Sequence, residues 1–176
     1  MRTNEYPTLI KVTLMTAICI VSLVYFLGVF SWNKNVSKVP PVGIGKYAVF
    51  DEEMDNTMLI NSIASNEQYI YFAYSNLGVV AVYDWNGEYC CSYAFFTGTN
   101  GSLGIRCYEG VLYVLDHAGY EFVFSGTDNI AMYDPENRLH LIGWFFSPDE
   151  LAIALNNQNV YDLSGKYIMP LPGRIR

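Results

Sequence analysis

From Val12 to Trp32 the chain reads VTLMTAICIVSLVYFLGVFSW, 21 residues without a charge. As an α-helix this stretch is about 31 Å long at ~1.5 Å per residue, close to the thickness of a bilayer's hydrocarbon core. A run of this kind predicts a single transmembrane helix. It divides the chain into a tail (1–11), the helix (12–32), a linker (33–46) and one domain (47–176). The Thr and Ser residues and Cys19 can bond to carbonyls of their own helix, and Tyr25 and Trp32 suit the membrane interface. A cleaved signal peptide has an apolar core of only ~7–15 residues and a small-residue cleavage site. Here the core is longer and no Ala occurs between Ala17 and Ala48, which favours a retained anchor. Arg2 and Lys11 on one side nearly balance Lys34, Lys38 and Lys46 on the other. Long C-terminal domains translocate largely regardless of charge, so the domain is expected on the extracytoplasmic side.

The domain is long enough for one hydrophobic core and too short for two. Most of the 15 Tyr and 10 Phe follow the helix, and aromatic side chains suit a pleated, half-buried surface. The expected class is therefore all-β. Net charge is −7, and the few basic residues after Trp32 are scattered. Nucleic acid, which requires a basic stripe to displace counterions, is excluded as a partner. Cys90, Cys91 and Cys107 lie in the domain. An odd number of thiols does not make a disulfide framework.

Internal similarity organises the rest. Strands are expected at Leu59–Ala64, Tyr69–Ser75, Val79–Asp84 and Glu88–Phe95. They recur at Leu103–Tyr108, Val111–Asp116, Tyr120–Phe124 and Asn129–Tyr133, and again at Leu139–Phe145, Leu151–Leu155, Asn159–Asp162 and Lys166–Met169. The inner strands open at 69, 111 and 151, so the period is 42 and then 40 residues. Tyr83-Asp84-x-Asn86-Gly87-x-Tyr89 returns as Tyr161-Asp162-x-Ser164-Gly165-x-Tyr167. Asn-Gly is a hairpin signal because both residues tolerate positive φ. About four short strands in each ~40 residues, separated by glycine turns, is the pattern of a β-propeller blade.

Over Leu59 to Met169 these residues resemble the blades of NHL-like and related bacterial propellers. That resemblance implies a partial propeller of about three four-stranded blades, with loops on one face binding proteins or other ligands. Propellers typically have four to eight blades. Three repeats leave three readings open: a homodimer completing a six-bladed ring, a partial ring, or a β-sandwich.

The residues that stand out are Asp84, Asp116 and Asp162, each at a strand end, with Gly87, Gly119 and Gly165 in the turns that follow. Their functional reading is a ring of carboxylates. Their ordinary reading is turn chemistry, in which Asp bonds nearby amides. Neighbouring strand residues face opposite ways, so one of Cys90 and Cys91 can join Cys107 if the domain is outside, and Cys91–Cys107 is the candidate disulfide; the ordinary reading of these residues is buried thiols. His117 and His140 fall at no metal-ligand spacing, and no metal or cofactor is expected. Asp51-Glu52-Glu53 reads as a solvated cluster. Nucleophile elbows, Walker loops, HExxH and dinucleotide fingerprints do not occur. The expectation is a membrane-anchored, non-catalytic binding or scaffolding protein with a protein or glycan partner. The rival is a membrane-bound hydrolase or lyase working through carboxylates on one propeller face.

Overall fold

A computed structural model describes residues 6–74, 77–97, 103–137, 153–156 and 158–175. The chain divides into two compact units, Met1–Val36 and Ser37–Arg176.

The first unit is one helix, α1 (Tyr6–Val36, 31 residues). Pro7 stands near its start, where a missing N–H costs nothing. Lys34 lies in the last turn, favourably placed against the helix dipole. Pro40 and Pro41, soon afterwards, forbid continuation. The helix therefore runs four residues past Trp32, into the segment expected to be linker. Thr16 Oγ1 donates to the Val12 carbonyl at 2.9 Å, so this hydroxyl is satisfied within the helix. The described side chains from Val12 to Leu27 are exposed on every side of the helix. Among the described residues no helix is long and apolar enough to cross a membrane.

The second unit is all-β. Its strands are β1 (Tyr47–Phe50), β2 (Leu59–Ser65), β3 (Tyr69–Tyr74), β4 (Val79–Asp84), β5 (Tyr89–Phe95), β6 (Gly104–Tyr108), β7 (Val111–Leu115), β8 (Glu121–Ser125), β9 (Asp128–Tyr133), β10 (Ile153–Asn156), β11 (Asn159–Asp162), β12 (Tyr167–Pro170) and β13 (Arg174–Ile175). They form three sheets, ordered β1-β5-β4-β3-β2-β13, β6-β7-β8-β9 and β10-β11-β12. The first two contain the expected four-stranded meanders. The third shows three strands, and the expected strand Leu139–Phe145 lies outside the described residues. Two strands were not expected. β1 pairs antiparallel with β5, and β13 pairs parallel with β2, so each extends one edge of the first sheet.

The first sheet lies between the other two. Tyr71, Ala73, Val80, Val82, Tyr93 and Phe95 on one face meet Leu103, Ile105, Leu112, Val114, Phe122 and Phe124 of the second sheet and its lead-in. Ile60, Ile70, Phe72, Tyr74, Val79, Ala81 and Tyr83 on the other face meet Val160, Met169 and Leu171, with Met54 and Met58. β3 and β4 are therefore buried on both faces. That is why YIYFAY and VVAVYD read as continuous apolar runs rather than alternating ones. Neither hydrophobic cluster joins the second sheet to the third; the described residues make a three-layer stack without ring closure.

Aromatic rings dominate the layer between the first and second sheets. Tyr93 stacks on Phe124 with centroids 4.7 Å apart, and Phe95 meets Phe122 at 5.1 Å. Such pairs contribute roughly 0.5–1.5 kcal/mol beyond their buried area. The buried tyrosines also find polar partners. Tyr74 Oη donates to the Pro172 carbonyl (2.9 Å), Tyr83 Oη to Glu53 Oε1 (2.8 Å) and Tyr93 Oη to the Thr127 carbonyl (3.1 Å). Burial holds the Tyr71, Tyr74, Tyr83 and Tyr93 phenols well above their ordinary pKa.

Part of the expected linker is packed onto the domain. Val39 lies against the cluster between the first and third sheets. Lys38 Nζ donates to the Glu53 carbonyl at 2.6 Å and stands 3.9 Å from Glu52 Oε2. Ser92 Oγ donates to the Glu52 carbonyl at 3.2 Å. The acidic run is thus tied into the fold through Glu52 and Glu53 rather than simply solvated.

Candidate functional site

The three expected turns share one backbone. In each, the Asp N–H donates to the carbonyl four residues on, at 2.9–3.0 Å. The Asp carbonyl accepts from the glycine N–H three residues on, at 3.0–3.1 Å. The Asp Oδ1 accepts from the N–H four residues on: Glu88, Tyr120 and Lys166, each at 2.9 Å. Gly87, Gly119 and Gly165 all have positive φ, at 82°, 89° and 86°. Asn86 does not, so the hairpin is no two-residue Asn-Gly turn. The longer turn closes around the aspartate side chain instead.

That geometry defines what the carboxylates do. Asp84 Oδ1 also accepts from Asn86 N–H (2.8 Å), and its Oδ2 accepts from Asn86 Nδ2 (3.0 Å). Asp162 Oδ1 accepts from Ser164 N–H (2.9 Å) and Ser164 Oγ (2.6 Å). The Glu88 amide is the main cause holding Asp84 below the ordinary carboxylate pKa, and the Ser164 hydroxyl is the main cause for Asp162. A carboxylate stabilised in its ionised form by its own backbone is a poor proton donor. Nor are the three positions equivalent. Asp84 and Asp162 precede the last strand of their sheets' meanders, whereas Asp116 lies between β7 and β8, with β9 still to follow. The structure gives three turns of one kind, with no hydrogen bond between any two of these carboxylates among the described residues.

Asp116 differs in burial. It is 0 % exposed, and its Oδ2 has no hydrogen-bond partner. Desolvation pushes its pKa above the ordinary range, against the opposing Tyr120 amide. Further side-chain turns went unpredicted. Asp134 Oδ1 accepts from Glu136 and Asn137 N–H (3.0 and 2.9 Å), and Asn66 Oδ1 from Gln68 and Tyr69 N–H (2.9 and 2.8 Å). The Asp-Pro and Asn-Glu pairs that open them are the signals that could have marked them.

The candidate disulfide Cys91–Cys107 is not formed, and no disulfide occurs among the described residues. Cys91 ends the row Ala64–Tyr71–Val82–Cys91 across the first sheet. Cys107 is on β6, which runs beside β2, with Asn61 Nδ2 donating to the Leu103 carbonyl at 2.8 Å. β2 and β5 stand at the two ends of that row, three strand spacings apart, about 14 Å at ~4.8 Å each. Burial raises the pKa of both Cys90 and Cys91, which keeps them as thiols. His117 is exposed and contributes its backbone N–H to the Phe96 carbonyl; His140 lies outside the described residues. Among the described residues no three His, Cys, Asp or Glu converge as metal ligands would.

No known family, no curated protein and no solved structure matches this chain.

Proposed function

We propose that the chain is a membrane-anchored, non-catalytic binding or scaffolding protein, whose stacked propeller-like sheets present their turns and outer faces to a protein or glycan partner. The observation that carries this reading is the use of the carboxylates. The Asp84 and Asp162 carboxylates are bonded within their own turns and Asp116 is completely buried, so what these turns offer outward is surface. The anchor is supported by α1, whose described side chains from Val12 to Leu27 carry no charge, with large apolar residues exposed on every side rather than along one stripe; such a helix needs an apolar environment all round. The outer faces of the second and third sheets are where a second copy would continue the stacking.

The test uses the full chain in lipid nanodiscs, presented to a glycan array and, separately, to the same glycans in solution with product analysis. Retained binding without product supports the reading. Release of product would establish the carboxylate hydrolase instead, and neither binding nor product would remove the glycan partner. Extraction of the membranes at alkaline pH checks the anchor: the chain stays in the pellet if α1 spans the bilayer and leaves with the supernatant if it does not.

A further inference from the structure

The same five-residue turn occurs three times, and only one copy encloses its carboxylate. Asp84 and Asp162 are partly exposed. Asp116 is completely buried, with Oδ1 on the Tyr120 N–H at 2.9 Å and Oδ2 without a partner. This turn also holds other segments. The His117 N–H donates to the Phe96 carbonyl at 3.3 Å, tying the second sheet to the chain leaving β5. The Tyr120 ring lies on the 43–46 turn, so close that a Cβ on Gly45 would stand 2.9 Å from its Cε1. Asp116 therefore sits where the first sheet, the second sheet and the segment leading from the helix meet.

We propose that the Asp116 turn is a proton-operated latch, closed while the carboxyl is neutral and loosened when it ionises. An ionised carboxylate with one oxygen facing no donor is stabilised by admitting water, which requires the turn to open. A neutral carboxyl has no such demand. The charged groups around it are few. His117 in the same turn acts on Asp116 and favours its ionised form, as the weakest of the principal influences. Glu121 opens β8, Lys46 follows Gly45, and Phe95, Phe96 and Thr97 bring no titratable side chain. Burial outweighs His117 and the turn amides, so the folded carboxyl holds its proton more tightly than the unfolded one. Stability contributed by this group is therefore gained as pH falls through the folded pKa, and is lost above it.

The test is amide hydrogen exchange in the full chain, in nanodiscs, from neutral pH down to about pH 3, the range that covers an ordinary and a raised carboxyl, corrected for intrinsic rates. Protection of the His117 and Tyr120 amides should rise in the wild type as pH falls. Each pH step of one through which the carboxyl titrates permits up to a tenfold change, about 1.4 kcal/mol. In Asp116→Asn the same amides should be insensitive to pH. Protection of Lys166, in the exposed Asp162 turn, should not rise. A flat wild-type profile overturns the latch, and so does an equal rise in wild type and Asp116→Asn. Should Asp116→Asn not fold, direct carboxyl NMR titration of the wild type decides: an elevated Asp116 supports the latch, and an ordinary or lowered one overturns it.

Discussion

Gly87 and Gly165 occupy the same position of the same turn, with φ of 82° and 86°, yet alanine should affect them very differently. At Gly165 a Cβ would meet nothing within 4 Å. The cost there is the left-handed backbone alone, roughly 1–2 kcal/mol for an L-residue. About 0.4–1 kcal/mol is returned by the stiffer unfolded chain, which leaves a net of about 1 kcal/mol. At Gly87 the same Cβ would stand 2.7 Å from Met169 Cβ and 2.9 Å from the Ile168 carbonyl oxygen. Those atoms belong to β12 of the third sheet, so Gly87→Ala must also push one sheet from another. Overpacking of this kind costs roughly 1–3 kcal/mol more. A domain of this size loses ~4 °C of Tm per kcal/mol. Gly165→Ala should then lower Tm by ~4 °C, and Gly87→Ala by ~8–16 °C. The assay is thermal unfolding of the full chain in detergent, followed by the near-ultraviolet circular dichroism of the buried tyrosines. Equal shifts for the two variants would refute the reasoning, because they would mean that no part of the third sheet lies against the β4–β5 turn.

Other expectations follow from the same geometry. Spectrophotometric titration should leave a set of phenols un-ionised beyond pH 11, since burial raises Tyr71, Tyr74, Tyr83 and Tyr93. Stability should fall from about pH 10 upward as the unfolded chain gains phenolates; a full complement of phenolates before unfolding would contradict it. Asp84→Asn and Asp162→Asn should each lower Tm at pH 7. Their folded pKa values are depressed, so the difference from wild type should shrink as pH falls below that of an ordinary aspartate and vanish below the lowered folded pKa. A difference that persists at low pH would assign it to something other than charge. Alkylation under denaturing, non-reducing conditions should label all four cysteines; labelling of two would restore a disulfide.

The second unit was largely legible in the sequence because its strands are bounded by strong local signals. The apolar runs of β3 and β4 and the Asp-x-x-Gly turns placed most of β2 to β12 within a residue or two of their observed bounds. β1 and β13 were not legible. Tyr47–Phe50 is too short to show a period, and Arg174–Ile175 joins the first sheet only by lying beside β2. The end of α1 was placed early because Asn33, Lys34 and Asn35 end the apolar run while the helix continues to Val36. At the candidate site, the turn chemistry of Asp84, Asp116 and Asp162 could be read from local spacing. The burial of Asp116 could not, since Phe96 and Gly45 are distant in sequence. The separation of Cys91 from Cys107 likewise depends on which strands lie side by side between stacked sheets, and no alternation within one strand reveals it.

The three-layer stack, with the first sheet between the second and the third, is the feature on which the rest depends. Proton–proton contacts in the full chain, measured by NMR with selectively labelled Gly, Met, Tyr and Phe, test it most directly. The account predicts, in one molecule, contacts from Gly87 to Met169 and from the Tyr93 ring to the Phe124 ring, whose centroids are 4.7 Å apart. Retention of the Tyr93–Phe124 contact with none between Gly87 and Met169 would contradict it, leaving a two-sheet sandwich with the third repeat elsewhere.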